Sequence, residues 1–263
     1  MVEKSKTILY IVATPIGNLE DISLRAIRIL GEVDFVLCED TRVAKKLLAH
    51  YNISTPAISY HQHSDIKKLD YILDLLSQGK DIALVSDAGT PGISDPGGKL
   101  VQAVIARFGS EVNIESIPGP SAVTAALSIS GIQTDKFIFM GFPPHKKGRQ
   151  TFIHKILASE WSVVVYESKY RILRFLEELR FAVSEHNKKI ESELDKENYE
   201  SRIKNKADKN KKLKNINLSS VVVCRELSKM YETVYRGDIK IIIEKIKSHS
   251  NEQKGEFVVV IGK

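Results

Sequence analysis

Apolar residues along the first half of the chain come in short runs separated by helical spacings. Runs rich in β-branched residues at 8–13, 33–38, 57–60, 82–85 and 112–117 predict five buried strands. Between them, apolar positions recur every three or four residues over 23–30, 43–50, 66–77 and 99–108, which predicts four helices. Thr41 and Ser64 are placed to cap two of these, and Gly31 and Gly79 to end two. Strands that alternate with helices imply a mainly parallel sheet covered on both faces.

The pattern then changes. Candidate strands at 137–140, 162–166, 219–224, 232–236 and 257–261 are less regularly spaced. The third and fourth lie close enough in sequence to pair antiparallel. The expected organisation is therefore α/β with two domains, 1–133 and 134–263, the second carrying a mixed sheet. Residues 185–217 interrupt it with a Lys, Glu and Asn-rich insertion. Near-helical spacing of Ile190, Leu194, Tyr199, Ile203 and Ala207 fits a solvated helix, and the composition fits disorder equally well.

Charge qualifies the picture more than it decides it. The net charge is +6, but residues 185–217 hold ten Lys or Arg against seven Asp or Glu, half of that excess. Nucleic acid as a partner is invited, not required. Two cysteines, Cys38 and Cys224, exclude a disulfide scaffold and a four-cysteine zinc module. No apolar run is long enough to span a membrane and no signal-peptide pattern opens the chain, so a cytoplasmic protein is expected.

Ligands of open parallel sheets bind beyond the carboxyl ends of the strands. Those ends here carry Thr14-Pro15-Ile16-Gly17-Asn18, Glu39-Asp40-Thr41-Arg42, His61-Gln62-His63, the thirteen residues from Ser86 to Gly98, and Pro118-Gly119-Pro120-Ser121-Ala122. The 86–98 segment contains four glycines and two prolines, which implies a fixed irregular backbone that a ligand can approach closely. It is not a Walker A loop, because Gly98 stands where that motif needs lysine, and no strand runs into GxGxxG. Asp87 and Asp95 would repel a polyphosphate and suit a cationic or hydroxyl-rich ligand. Ser121 reads as a helix cap or a ligand contact. Asp40 and Arg42 read as an ion pair or as substrate contacts. His61 and His63 are spaced like a metal pair but lack an evident third ligand, so no metal is expected. Pro143-Pro144-His145-Lys146-Lys147-Gly148-Arg149 is a basic segment, either a phosphate-holding loop or a solvated helix start.

Several of these stretches together resemble a known family. They are 12–22, Glu39-Asp40-Thr41-Arg42, 86–97, 118–122, Gly141-Phe142, Arg225-Glu226-Leu227 and Lys254-Gly255-Glu256-Phe257. They resemble bacterial ribosomal RNA (cytidine-2′-O)-methyltransferases, a branch of the tetrapyrrole methylase superfamily, over nearly the whole chain outside the insertion. The resemblance implies two α/β domains with S-adenosyl-L-methionine in a cleft between them, usually in a homodimer. It implies methylation of a cytidine ribose in the decoding region of small-subunit ribosomal RNA, free or in the assembled subunit. Pro15, Ser86, Asp87, Thr90, Ser121 and Ala122 match its cofactor pattern, and Glu167 and Leu227 fall where an adenine wall is expected. Candidates to take the hydroxyl proton are Glu39, Asp40 and Glu226, with Arg42, Lys146, Lys147 and Arg149 steering phosphate. The chain departs from the family at Ser168-Lys169-Tyr170-Arg171, where Ser-Pro-His-Arg is common, and at His61-Gln62, where His-Glu is common. The rival expectations are a porphyrinogen or precorrin C-methyltransferase of the same fold and a non-catalytic nucleotide- or RNA-binding module.

Overall fold

The computed structural model describes residues 6–61, 66–204 and 220–262. The chain divides into two compact units, Met1–Ala122 and Val123–Lys263.

In the first unit, strands β1 (Ile8–Val12), β2 (Phe35–Cys38), β3 (Ala57–Ser59), β4 (Ile82–Leu84) and β5 (Asn113–Ile117) form one sheet in the order β3-β2-β4-β1-β5. Every pairing in it is parallel. Helices α1 (Leu24–Glu32), α2 (Thr41–His50), α3 (Ile66–Ser77) and α4 (Gly97–Phe108) connect the strands. Period-2 alternation divides the side chains between two cores. Val12, Val36, Cys38, Ala83 and Val85 pack with Ala26, Ile29 and Leu30 of α1 and Ala44 and Leu48 of α2. Leu9, Leu37, Ile82 and Leu84 face the other way, against Ile72, Leu73 and Leu76 of α3 and Leu100 and Val104 of α4. Both faces of this sheet are covered, as the continuous apolar strands require.

Details at the helix ends differ from the expectation. Asp40 caps α2 in place of Thr41: its backbone is extended, and its carboxylate accepts from the Arg42 amide at 2.8 Å. Gly31 lies inside α1, which closes with a bond from the Val33 amide to the Ile29 carbonyl at 3.1 Å and needs no left-handed residue. Gly79 does follow α3, at φ +83°. Ser64 lies outside the described residues.

In the second unit, β6 (Phe137–Phe139), β7 (Ser162–Ser168), β8 (Val221–Arg225), β9 (Thr233–Gly237) and β10 (Glu256–Ile261) order as β6-β7-β10-β8-β9. β6 pairs parallel with β7, and the remaining pairs, β8 with β9 included, are antiparallel. Helices α5 (Ala122–Ser130), α6 (Arg149–Ala158), α7 (Ile172–Lys204) and α8 (Ile239–Ser248) complete the order. Val163, Val165, Val223, Phe257 and Val259 share one core with Ile153 and Ile156 of α6, Phe175 and Leu179 of α7, and Ile242 and Ile246 of α8. The start of the charged insertion is helical, since α7 continues to Lys204. The rest of it, 205–217, lies outside the described residues. No described helix is long and apolar enough to cross a membrane.

Candidate active site

The carboxyl rim of the first sheet is tied together by its own polar groups. Beyond β1, Thr14 and Gly89 exchange backbone hydrogen bonds at 2.9 and 3.1 Å, which joins the first loop to the long fourth one. The Thr14 hydroxyl donates to the Ser86 carbonyl at 3.1 Å, and the buried Ser86 hydroxyl donates to the carbonyls of Ala88 and Gly89, both at 3.2 Å. Thr90 donates to the Pro120 carbonyl at 3.0 Å and so fastens the fifth loop to the fourth. Gly119 comes so near β1 that a Cβ there would lie 3.0 Å from that of Ala13. Pro15 is buried beneath this junction, and Ser121 and Ala122 sit half-buried where α5 begins.

Asp95 organises the second half of the loop. Its Oδ1 accepts from the amides of Gly92 and Gly97 at 2.7 and 2.8 Å, while its buried Oδ2 has no hydrogen-bond partner among the described residues. Gly92 at φ +88° makes the reversal that brings those two amides to one oxygen. A Cβ on Gly97 would stand 2.9 Å from the Gly92 nitrogen and 3.0 Å from Asp95 Oδ1. The closeness of this turn therefore requires glycine.

Acidic side chains meet at the same rim. Asp87 Oδ1 accepts from the Asp40 amide at 3.1 Å, linking the second loop to the fourth. Burial, then the charges of Asp87 and Asp95, push the Glu39 carboxyl above the ordinary glutamate value. The neighbouring Asp40 goes the other way. Its hydrogen bonds from the Arg42 side chain and amide hold it at about 2, and Asp40 and Arg42 form the ion pair that the sequence allowed, at 2.6 Å. Cys38 is buried and its thiol is pushed up to about 11, by desolvation first and then by Asp87, Asp40 and Glu39, which suits packing and not nucleophilic attack. His61 is exposed at the end of its strand, and His63 lies outside the described residues. Among the described residues no group of three or more His, Cys, Asp or Glu is placed to hold a metal.

The second unit corrects one expectation. Arg149 is 3% exposed and is not a surface phosphate contact. Its guanidinium pairs with Glu178, lies 3.6 Å from Glu167, donates to the Pro144 carbonyl at 3.1 Å and rests over the Phe175 ring. A buried guanidinium must be paired, and this one is paired inside the core. Glu167 is 1% exposed and also takes Arg171 at 2.9 Å, so its carboxylate faces two arginines. Arg171 in turn donates to the Pro143 carbonyl at 3.1 Å. Lys146 and Lys147 remain exposed on the loop that these bonds hold.

Glu226 is pinned as well. It accepts from the Glu256 amide at 2.8 Å and from Lys229 at 3.0 Å. Burial opposes its charge, but those two partners outweigh it and hold the carboxyl below the ordinary value. Leu227 beside it is buried. Arg225, which the sequence suggested only as part of a strand end framing a cleft, is 7% exposed and donates to the carbonyls of Lys254, Tyr231 and Asn251 at 2.7, 3.1 and 2.7 Å. Its position at the end of an all-apolar strand was the available signal.

A parallel sheet whose carboxyl rim carries an acidic, glycine-rich cradle, followed by a mixed five-stranded sheet, defines a class. The sequence profile of the tetrapyrrole (corrin/porphyrin) methylases matches residues 8–242, and the chain belongs to that family. Within the class, the particular likeness is to proteins named ribosomal RNA small subunit methyltransferase I. The chain is 40% identical to that of Hydrogenobaculum sp. over 257 residues, which cover 97% of this chain and 95% of the relative. It is 37% identical to that of Thermotoga maritima, over 96% of this chain and 97% of the relative. Among solved structures, a cobalt precorrin-4 methyltransferase superposes with a TM-score of 0.62 over 100% of this chain and 97% of its own, at 16% identity. A uroporphyrin-III C-methyltransferase from Thermus thermophilus gives 0.58 over 98% and 95%, also at 16% identity. At such identities these two establish the shared fold alone.

Proposed function

We propose that this chain methylates the ribose 2′-hydroxyl of a cytidine in the decoding region of small-subunit ribosomal RNA. S-adenosyl-L-methionine is the methyl donor, and the chain works in the cytoplasm as a homodimer on free RNA or the assembled subunit. The observation that carries the reading is the rim of the first sheet, with its closely turned backbone and its cluster of Glu39, Asp87 and Asp95. The near-full-length likeness to ribosomal RNA small subunit methyltransferases selects RNA over a tetrapyrrole as the substrate.

The residues fit the donor. Carboxylates that would reject a polyphosphate favour a cationic ligand, and Gly92 and Gly97 permit the close turn that fixes Asp95 among them. Ser86, Asp87, Thr90, Pro15, Ser121 and Ala122 would hold it. When bound, S-adenosyl-L-methionine supplies an already activated methyl group. The protein then has two tasks: to align the hydroxyl and to accept its proton.

Of the three candidate acceptors we assign Glu39. A carboxylate whose affinity for protons is raised is the stronger base. Asp40, held at about 2 by Arg42, is a weak one. Glu226 is occupied by Lys229 and the Glu256 amide. Arg42, Lys146 and Lys147 supply positive charge for phosphates.

The test incubates the purified chain with methyl-labelled donor and small ribosomal subunits that lack the modification. Label in 2′-O-methylcytidine is expected, and Glu39→Gln should abolish it while donor uptake persists in calorimetry. Label in a tetrapyrrole instead, or in neither substrate, overturns the proposal.

A further inference from the structure

We propose that one rim of the second sheet, formed by residues 142–148, 168–171 and 227–231, is a stacking platform for unpaired bases of the RNA substrate. The inference rests on the function proposed above and names the surface that recognises the RNA.

Topology gathers the three segments. β6 runs parallel to β7, while β7 and β8 are each antiparallel to β10. β6, β7 and β8 therefore point the same way, and the segments that leave them emerge on one edge. Three strand steps separate β6 from β8 in the sheet order, a width of roughly 14 Å.

The side chains there are unusual for a free surface. Tyr170 is 84% exposed, Met230 89% and Tyr231 69%, and Phe142 on the first of the three segments is exposed too. Large apolar groups collected on one edge mark a site of interaction. The same segments carry Lys146, Lys147 and Lys169, also exposed. Among the described residues none of these three is ion-paired. The paired cations of this edge are Arg149, Arg171 and Lys229, whose partners are Glu167, Glu178, Glu226 and Glu256. The Lys169 ammonium stands 5.0 Å from the centre of the Tyr170 ring.

Exposed rings interleaved with uncompensated cations match a single strand, whose bases offer π-faces and whose phosphates offer charge. A duplex would use the lysines and leave the rings idle. An apolar peptide would use the rings and leave the lysines uncompensated.

The platform is also held ready. Arg171 and Arg149 grip the carbonyls of Pro143 and Pro144, and Arg225 grips that of Tyr231. Loops fixed beforehand lose little freedom when they bind.

The experiment uses the full chain with a short fluorescent single-stranded oligoribonucleotide and its duplex as probes. Tyr170→Ala and Tyr231→Ala should each weaken single-strand binding by ~10-fold, with the Phe variants close to wild type. Duplex binding and donor uptake should not change, which shows that the fold is intact. Lys146→Ala and Lys147→Ala should each flatten the log-affinity against log-salt slope by ~0.7. Alanine variants that bind single strands as tightly as wild type, while methylation proceeds, overturn the platform alone. Alanine variants that turn a dimer into a monomer in sedimentation also overturn it, because the edge then covers a second copy. A wild-type chain that neither binds nor methylates RNA overturns the platform and the function together.

Discussion

Replacing Arg149 with methionine removes a guanidinium that is 3% exposed and keeps most of its apolar stem. The stem can still rest against Phe175, so the loss is electrostatic and not a cavity. Breaking a buried ion pair from one side costs about 3–5 kcal/mol, because the remaining charge stays buried. Here the lower end applies. Glu167 keeps Arg171 at 2.9 Å and the Ser168 amide at 2.7 Å, and Glu178 keeps Arg174 at 2.7 Å. A loss of about 3 kcal/mol in a chain of this size lowers the melting temperature by roughly 6–12 °C. Differential scanning calorimetry of wild type and Arg149→Met, at equal concentration and without ligand, measures it. The Pro144 carbonyl also loses its donor, so RNA affinity should fall through the loop and not through a lost phosphate contact. A variant that melted with wild type yet lost RNA affinity with a flatter salt slope would refute this reasoning. It would return Arg149 to the surface role that its basic neighbours suggest.

The pH profile should separate the two adjacent carboxylates. Glu39 is raised in the folded state, so methyl transfer under saturating donor should rise through a midpoint above the ordinary glutamate value, and Glu39→Gln should flatten that rise. The same raised value means that folding is favoured most below the unfolded value of Glu39, and that this contribution is lost as pH climbs through the folded one. Asp40 is lowered, so its contribution is present above the unfolded value and disappears as pH falls toward about 2. Carboxyl NMR should place Asp40 there and return it toward 3.8 in Arg42→Ala. Gly97→Ala should lower the melting temperature in calorimetry by roughly 2–12 °C, since overpacking costs about 1–3 kcal/mol and its Cβ would stand 2.9 Å from the Gly92 nitrogen. Cys38 and Cys224, both buried with thiols pushed up to about 11, should resist iodoacetamide at pH 8 until the chain is unfolded.

Period and composition made the first unit readable. Continuous β-branched runs favoured buried strands, and glycine with proline at their ends favoured a fixed loop, although β3 and β5 at the sheet edges are only partly buried. The helix ends were harder, because adjacent residues competed for one role. Asp40 and Thr41 both can cap, and the choice fell to Asp40, whose carboxylate also takes Arg42. Arg149 was misread through its neighbours, as the last member of a basic cluster. Its spacing told a different story. Arg149, Phe152, Ile153 and Ile156 fall at i, i+3, i+4 and i+7, the buried stripe of α6. Glu167 and Glu178, which neutralise it, lie on β7 and α7, and no local pattern announces a pairing across three elements. The opposed proton affinities of Glu39 and Asp40 were likewise illegible. They depend on Asp87 and Asp95, tens of residues away, and on which of the two neighbours Arg42 reaches.

At the rim of the first sheet, the hydroxyls of Thr14, Ser86 and Thr90 are all turned inward onto peptide carbonyls. Those hydroxyls thus brace the backbone of the loops, and no point mutation deletes a peptide unit. Substituting these hydroxyls should therefore loosen the mould before it alters what the mould selects. Variants at those three positions would differ first in how long the binding surface survives heat, and only afterwards in which molecule it accepts.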